Sequence, residues 1–301
     1  MRVIYRPAQT ADLQSVSDVY WQALTDVYRR HGFEDKKPVY SVNPFYAYVL
    51  RTEPHGFFVA EDGGNVAGAA ISWMRGSFWF LSHLFVSPEY HGRGIGKTLL
   101  GRALESSTRA GAGIRSVITM AFNPTSLALY MKNGMYPLQD IYLMQIKARK
   151  APIKIGPQPA PQPEGLTLSG RQMEDLKNID TSVLGMDREL HHRYFLEDGH
   201  ACGWLIHYRQ KPAAYAYQWP DGRIGPVAAL HDSPYRDILK AVIRPAMKEG
   251  AHISLMVPGT NRIAMEVALS LGFTIRMPYL LMSSQPFGSW DRYLFQSPGM
   301  M

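Results

Sequence analysis

Two stretches of this chain repeat each other at a fixed spacing, and that repetition limits the folds open to it more than any other feature. "NPTSLALYMKNGMYPLQDIYLM" begins at Asn123 and "NRIAMEVALSLGFTIRMPYLLM" at Asn261. Each places a glycine eleven positions after the asparagine (Gly134, Gly272) and a methionine nine positions beyond the residue that follows (Met144, Met282). Upstream, "GFFVAEDGGNVAGAAISW" from Gly56 matches "GWLIHYRQKPAAYAYQW" from Gly203 with one residue deleted. Both read as strand, tight turn, strand, because apolar runs flank "EDGGN" and "RQKP". Similarity at a constant offset describes a duplicated folding unit. The 301 residues therefore divide into two domains of about 150 residues each.

Between the copies runs "KARKAPIKIGPQPAPQPEG", Lys147 to Gly165, with prolines at 152, 157, 159, 161 and 163. Prolines at that density resist helix and sheet alike, which predicts a stiff extended linker over 147–165 between a first domain, 1–146, and a second, 166–301. An apolar fraction of 46% against 19% charged residues describes globular cores, not a disordered chain. There is no apolar run of about eighteen residues, and "MRVIYRPAQTADLQ" lacks an apolar signal core, so the expectation is a soluble, unexported, cytoplasmic protein with no membrane partner. A single cysteine, Cys202, rules out an intrachain disulfide and any multi-cysteine metal site, as suits a reducing compartment. The formal charge of +7 favours an anionic ligand without choosing one. No RNP-type motif, zinc-finger spacing or heptad-plus-basic region is present, so the reading is against a nucleic-acid partner.

The first half predicts a short strand "VIYRPA", a helix from about Asp12 to Arg30, an irregular aromatic-rich stretch Phe33 to Pro54, the hairpin, and a strand "FWFLSHLFV". A glycine-rich turn follows that strand and opens a helix with apolar positions at Leu99, Leu100, Ala103 and Leu104. Strand "SVITMAF", helix "PTSLALYMKNG" and strand "DIYLMQI" complete an α/β unit.

The turn is "VSPEYHGRGIGKTLL", Val86 to Leu100. A triphosphate loop needs G-x-x-x-x-G-K-[ST]; with Gly96, Lys97 and Thr98 in place its first glycine falls on His91, so that pattern fails. The dinucleotide pattern G-x-G-x-x-G also fails, because the glycines stand at 92, 94 and 96. A helix start nonetheless offers unpaired N–H groups and partial positive charge to a phosphate, and a bare backbone lets it approach. Arg93, Lys97 and His91 add charge at the rim. The spacing [QR]-x-x-G-x-[GA], read as His91-Gly92-Arg93-Gly94-Ile95-Gly96, resembles the acetyl-CoA loop of the GNAT acetyltransferase superfamily, with His91 where Gln or Arg is usual. "NPTSLALYMKNGM" also resembles that family's helix N-x-x-[AS]-x-x-x-Y-x-x-x-G-[FM], through Asn123, Ser126, Tyr130, Gly134 and Met135. The likeness covers most of residues 1–146.

The resemblance implies an α/β architecture of two tandem GNAT-like domains, each a mixed, mainly antiparallel twisted sheet flanked by helices. It implies acetyl-CoA as cosubstrate without a metal, and transfer of its acetyl group to a primary amine of a small molecule or protein by direct attack in a ternary complex. Leu84, Phe85 and Val86 would offer backbone N–H groups to the carbonyl and pantetheine, with Gly92, Gly94, Ile95, Gly96, Lys97 and Asn123 completing the cofactor site. Tyr130 matches the family's general acid; simple packing on its helix is the other role open to it. His83 lies on the strand that carries bases in some members, and a hydrogen-bonded core histidine is the alternative. Ser82 could order a water, and Glu61, Glu34 and Asp35 could line the acceptor mouth together with the stretch Tyr28 to Leu50. A non-catalytic acyl-CoA-binding or sensing module is the competing function, and a homodimer is an open possibility.

The second half lacks the parts. Tyr130 maps to Ala268, and "LHDSP" stands where the loop belongs, with no glycine and with Asp232 to repel phosphate. This predicts a degenerate GNAT-like domain without a cofactor site. His191 and His192, in "GMDRELHHRYF", are adjacent, face different sides of a helix and read as solvated surface. Asp187 and Arg188 read as a cap or a pocket-facing pair, and Cys202 as a small core residue.

Overall fold

The computed structural model describes residues 3–33, 42–147, 163–247 and 251–301. These form two compact units, one of residues 1–118, 122–136 and 283–285, the other of 119–121, 137–282 and 286–301.

The first unit is built from β1 (Ile4–Pro7), α1 (Leu13–Arg30), α2 (Pro44–Thr52), β2 (Phe57–Asp62), β3 (Asn65–Arg75), β4 (Phe78–Val86), α3 (Ile95–Arg109), β5 (Ile114–Met120) and α4 (Pro124–Met131). Its strands follow the order β1-β2-β3-β4-β5. All neighbours are antiparallel except β4 and β5, which run parallel through the crossover helix α3. Antiparallel pairs come from tight turns, and the one parallel pair needs a long connection. α1 buries Val16, Val19 and Ala23, and α3 buries Leu99, Leu100 and Ala103, each at helical spacing. Arg6 on β1 holds Asp12 ahead of α1 and Glu61 on β2, at 2.7 Å each, tying strand edge to helix start.

Helix α2 corrects the expectation of an irregular stretch over 33–54. Asn43 caps it, its side chain accepting from the Phe45 N–H at 3.0 Å, and Pro44 occupies the first helical position. Three of its first five residues are aromatic, a composition of modest helix propensity that hides the cap in the sequence. Glu34 and Asp35 lie outside the described residues, as does most of the proline-rich tract; its last three residues, Pro163–Gly165, form the short edge strand β7.

The second unit contains β6 (Tyr136–Lys147) from Pro137 onward, β7, α5 (Gly170–Leu184), α6 (Glu189–Leu196), β8 (Cys202–Tyr208), β9 (Lys211–Gln218), β10 (Arg223–Ala229), α7 (Tyr235–Ala246), β11 (His252–Pro258), α8 (Arg262–Ser270), β12 (Thr274–Ser283) and β13 (Tyr293–Leu294). Its strand order is β12-β6-β11-β10-β9-β8-β7, with β13 paired to β10. β6, which precedes the proline-rich tract in the chain, pairs antiparallel with β11 from Lys147 opposite His252 to Ile141 opposite Pro258. α7 is the most amphipathic crossover, burying Tyr235, Ile238, Leu239, Val242 and Ile243 against this sheet.

The two histidines overturn the surface reading, and Arg188, expected as a cap or pocket-facing residue beside Asp187, is buried with them. His191 and His192 are each 1% exposed and Arg188 is 0% exposed. Arg188 donates to both Asp180 carboxylate oxygens, to Tyr293 Oη, to the Met301 carbonyl and to Tyr215 Oη. His192 bridges Asp180 at 2.9 Å and Tyr217 Oη at 2.7 Å. Burial alone would raise the Asp180 pKa, but Arg188 and His192 outweigh it and hold the carboxyl at about 2. Asp187, by contrast, caps α6 by accepting from the Glu189 N–H at 2.9 Å. Cys202 is exposed at the start of β8, not a core residue. The i, i+1 argument placed the two histidines on different faces correctly, but α6 is covered on both. Removing one member of this network strands a buried charge. Asp180→Ala is expected to lower stability by about 3–5 kcal/mol, and the pair Asp180→Leu with Arg188→Met by less than half of that, as read from urea denaturation.

Candidate active site

β4 and β5 pair in parallel only from Phe78 opposite Ile114 to Leu81 opposite Val117. β4 continues five residues further, to Val86, so the two strands part at Ser82. The same point carries a β-bulge: Ile71 of β3 faces His83 and Ser72 faces Leu81, leaving Ser82 as the extra residue on β4. Beyond the bulge β4 stays paired to β3 alone. Ser87 donates its N–H to the Ala67 carbonyl at 2.8 Å, so alternation turns the Leu84 and Val86 backbone groups to the opposite edge, into the fork. Of the three strand-end residues expected to present amides, two point there and Phe85 faces β3.

The glycine turn stands at the tip of this fork. His91 is exposed and extended, and its Nε2 lies 3.0 Å from the Val86 carbonyl, stitching the turn to β4. Gly92 and Gly94 both adopt φ of +78°, a left-handed conformation that side-chained residues rarely hold, and a Cβ on either would meet open space. Their glycines are thus required by backbone shape. Gly96 has a different duty: a Cβ there would lie 3.7 Å from Val86 Cγ2, in ordinary contact, so α3 starts flush against the β4 end. No side chain caps α3, whereas Asn43, Asn123, Ser169 and Asn261 cap α2, α4, α5 and α8. Its first N–H groups, at the positive end of the helix dipole, therefore have no side-chain cap among the described residues. Lys97 is exposed on this first turn, and the exposed Arg93 guanidinium lies 5.0 Å from the Tyr90 ring centroid. An unpaired strand edge leading to an uncapped helix start fits a long acyl-thioester cofactor with a diphosphate near one end.

His83 projects on the other face of β4 from Val86. Its ring is half-buried and sits 5.5 Å from Tyr20 of α1, 5.5 Å from Tyr46 and 6.1 Å from Phe45 of α2, and 6.4 Å from Phe85. Nδ1 is held by Ser82 Oγ at 2.8 Å, which leaves Nε2 without a partner among the described residues. Desolvation lowers the His83 pKa to about 4, so the imidazole is neutral at physiological pH. Ser82 is thus the partner that orients His83. Glu61 is committed to Arg6.

α4 follows β5 directly. Asn123 caps it, accepting from the Ser126 N–H at 3.3 Å. Tyr130 is 4% exposed, and burial raises its pKa, so its phenol keeps its proton. Among the described residues no hydrogen bond or ring contact joins Tyr130 to His83 or to the glycine turn. From the far end of α1, His31 and Phe33 pack on Phe122, ahead of α4, at 5.0 and 4.7 Å.

The acetyltransferase (GNAT) family model matches residues 13–135, the span that holds the fork, the glycine turn, His83 and Tyr130. This segment is similar to the GNAT acetyltransferase family. An uncharacterized N-acetyltransferase of Methanocaldococcus jannaschii is 23% identical over 130 residues, 41% of this chain and 56% of its own. The chain spans less than two thirds of the length of each of the curated relatives it matches. Among solved structures, a protein described as an acetyltransferase from Pyrococcus horikoshii superposes with a TM-score of 0.78 at 19% identity, over 99% of this chain and 96% of its own. A tandem GNAT protein from the clavulanic acid biosynthesis pathway does so with 0.61 at 14% identity, over 95% and 99%. The whole chain therefore has the tandem GNAT fold.

The second unit carries the same fork, but filled. β10 pairs in parallel with β11 only at Arg223–Ser254 and Ile224–Leu255. Beyond that, Val227 and Ala228 pair with Leu294 and Tyr293 of β13, and the Phe295 N–H donates to the Met256 carbonyl of β11 at 3.0 Å. Asn261, the counterpart of Asn123, caps α8 with its oxygen and donates through Nδ2 to the Tyr293 carbonyl at 3.0 Å. The chain's own strand thus occupies the GNAT cleft of this unit. Sequence reasoning missed β13 because "DRYLFQ" carries no signal of where it docks. It also missed Tyr20 beside His83, which the periodicity of α1 would have pointed to; Phe45 and Tyr46 lie within the stretch Tyr28 to Leu50 expected to meet the acceptor. Among the described residues no group of three His, Cys, Asp or Glu side chains is placed to hold a metal, and no helix is long and apolar enough to cross a membrane.

Because His83 resists protonation only in the folded chain, the unfolded chain takes up the extra proton between pH 6.5 and about 4. Its contribution to stability is complete above that window and is lost as the pH falls through it. Chemical denaturation of wild type and His83→Gln from pH 7.5 to 4 is expected to show a steeper acid loss in wild type.

Proposed function

We propose that the first unit transfers the acetyl group of acetyl-CoA to a primary amine, by direct attack within a ternary complex. The observation that carries this reading is the fork itself: β4 leaves β5 at a bulge and runs, unpaired on one edge, into a left-handed glycine turn and an uncapped helix start. Acetyl-CoA, when bound, supplies an activated acyl carbon and a thiolate leaving group. The amides of Ile95, Gly96 and Lys97 at the start of α3 hold its diphosphate, with the Lys97 and Arg93 charges at the rim. His91 keeps the turn docked on Val86. The Leu84 and Val86 N–H groups lie where a thioester carbonyl and pantetheine amides would accept hydrogen bonds, an arrangement that favours charge building on the carbonyl oxygen. Asn123 fixes the start of α4 and so the position of Tyr130.

His83 is the proposed base. With Nδ1 held by Ser82, its free Nε2 accepts the proton that the attacking amine sheds. Its depressed pKa makes it a weak base but keeps it unprotonated, and the aromatic surroundings that depress it equally favour a neutral acceptor amine over its ammonium. Tyr130, protonated by virtue of burial, delivers a proton to the departing thiolate.

Two measurements test the reading. Titration calorimetry of wild type with CoA is expected to show binding that Gly96→Trp abolishes without a change in melting temperature above a few degrees. In thiol-release assays with acetyl-CoA and a panel of primary amines, Tyr130→Phe is expected to lower kcat about 10²-fold or more while leaving the KM for acetyl-CoA within about twofold. CoA binding without turnover of any amine, together with no effect of Tyr130→Phe, would replace the enzyme by a non-catalytic acyl-CoA-binding module. A protein that does not bind CoA at all would end both readings.

A further inference from the structure

Resting on that reading, we propose that the acceptor of the first unit is a primary amine carried on an apolar or aromatic skeleton. The receiving site is the aromatic cage around His83. Tyr20 stands on one side from α1, Phe45 and Tyr46 on another from α2, and Phe85 beside His83 on β4. Tyr20 also lies edge-on to Phe85 at 5.6 Å and to Tyr46 at 6.5 Å, so the walls are packed against each other as well as against the imidazole. Three elements thus converge on one half-buried, unpartnered Nε2.

Charge decides what such a cage admits. Among the described residues, the carboxylates carried by α1, the end of α2 and β2 have partners of their own: Asp18 with Gln14, Asp26 with Arg30, Glu53 with Arg75 and Glu61 with Arg6. A polyamine would bring second and third ammonium groups into apolar walls with no uncommitted carboxylate bonded to them among the described residues, at a heavy desolvation cost. An amino acid would bring a carboxylate into the same apolar walls, at a similar cost. A single amine on an apolar chain meets neither obstacle, because it enters neutral after losing one proton and the rings bury the chain behind it. One wall also carries an unused donor. Tyr46 is 0% exposed, and its hydroxyl has no hydrogen-bond partner among the described residues. Its pKa is raised by burial, with Tyr20 adding to the shift and Asn43 opposing it. A neutral phenol of that kind can serve an acceptor carrying one hydroxyl or ether oxygen.

The test uses the full chain, acetyl-CoA and three acceptors: 2-phenylethylamine, spermidine and L-glutamate. The expected result is a kcat/KM for 2-phenylethylamine at least tenfold above either of the others. Tyr20→Ala is expected to bring that ratio down to within about threefold of unity, and Tyr20→Phe, which keeps the ring, to restore most of it. The acetyl-CoA KM in these variants reports whether the cofactor side is disturbed. A preference for spermidine or glutamate, or a Tyr20→Ala variant that loses all three acceptors equally, would overturn the cage and leave acetyl transfer standing. Bound acetyl-CoA with no turnover of any acceptor would overturn both.

Discussion

A parallel pair of strands that separates part-way along its length exposes backbone donors and acceptors in the middle of a sheet, and a protein tolerates such groups only if something meets them. Both units of this chain contain that opening, at the carboxyl ends of two parallel strands, where crossover helices begin. In the second unit the Tyr293–Phe295 segment meets the exposed groups, and Asn261 fastens it. In the first unit no strand enters among the described residues, and the edge of β4 beyond Ser82 leads to the glycine turn. The duplicated architecture thus displays one opening closed and, among the described residues, one open, and in the closed copy an extended backbone segment meets the exposed groups.

The two units also treat charge in opposite ways. The second buries a complete set of partners, Asp180, Arg188, His192 and three tyrosine hydroxyls, each satisfied by the next. Such a network fixes one arrangement of α5, α6 and β9 because any shift leaves an ion alone in a low dielectric. The first unit instead keeps loose ends near its fork: an imidazole nitrogen, a phenol and a row of helix-start amides. Unmet groups are unfavourable for folding and useful for binding, and they gather where the strands part.

Much of this was legible in the residues. The tandem fold, the hairpins and the glycine turn all rest on local rules of spacing and backbone geometry, and each is present in the structure. The glycines at 92 and 94 announce a left-handed turn because few other residues adopt one. Helix α2 escaped because aromatic residues disguise a sound cap. The histidines of α6 escaped for a different reason: burial is a property of what packs on a helix, and nothing within "RELHHRYF" tells that both its faces are covered. The aromatic cage needs three distant segments at once, and β13 finds its partners only after the sheet exists. Contacts of that range are set by tertiary packing, which a linear pattern does not encode.

Strand β6 carries a last consequence. It is made before the proline-rich tract, yet it lies between β11 and β12 in the sheet of the second unit. Cleaving the chain within that tract would not yield two self-sufficient proteins, since the amino-terminal fragment would leave with a strand that belongs to the second unit and the carboxyl-terminal fragment would keep a gap between β11 and β12. During synthesis the same strand must wait, unpaired, until β11 has emerged from the ribosome. The two sequence copies are therefore bound into a single inheritance: neither can be lost, swapped or borrowed by another gene without its partner.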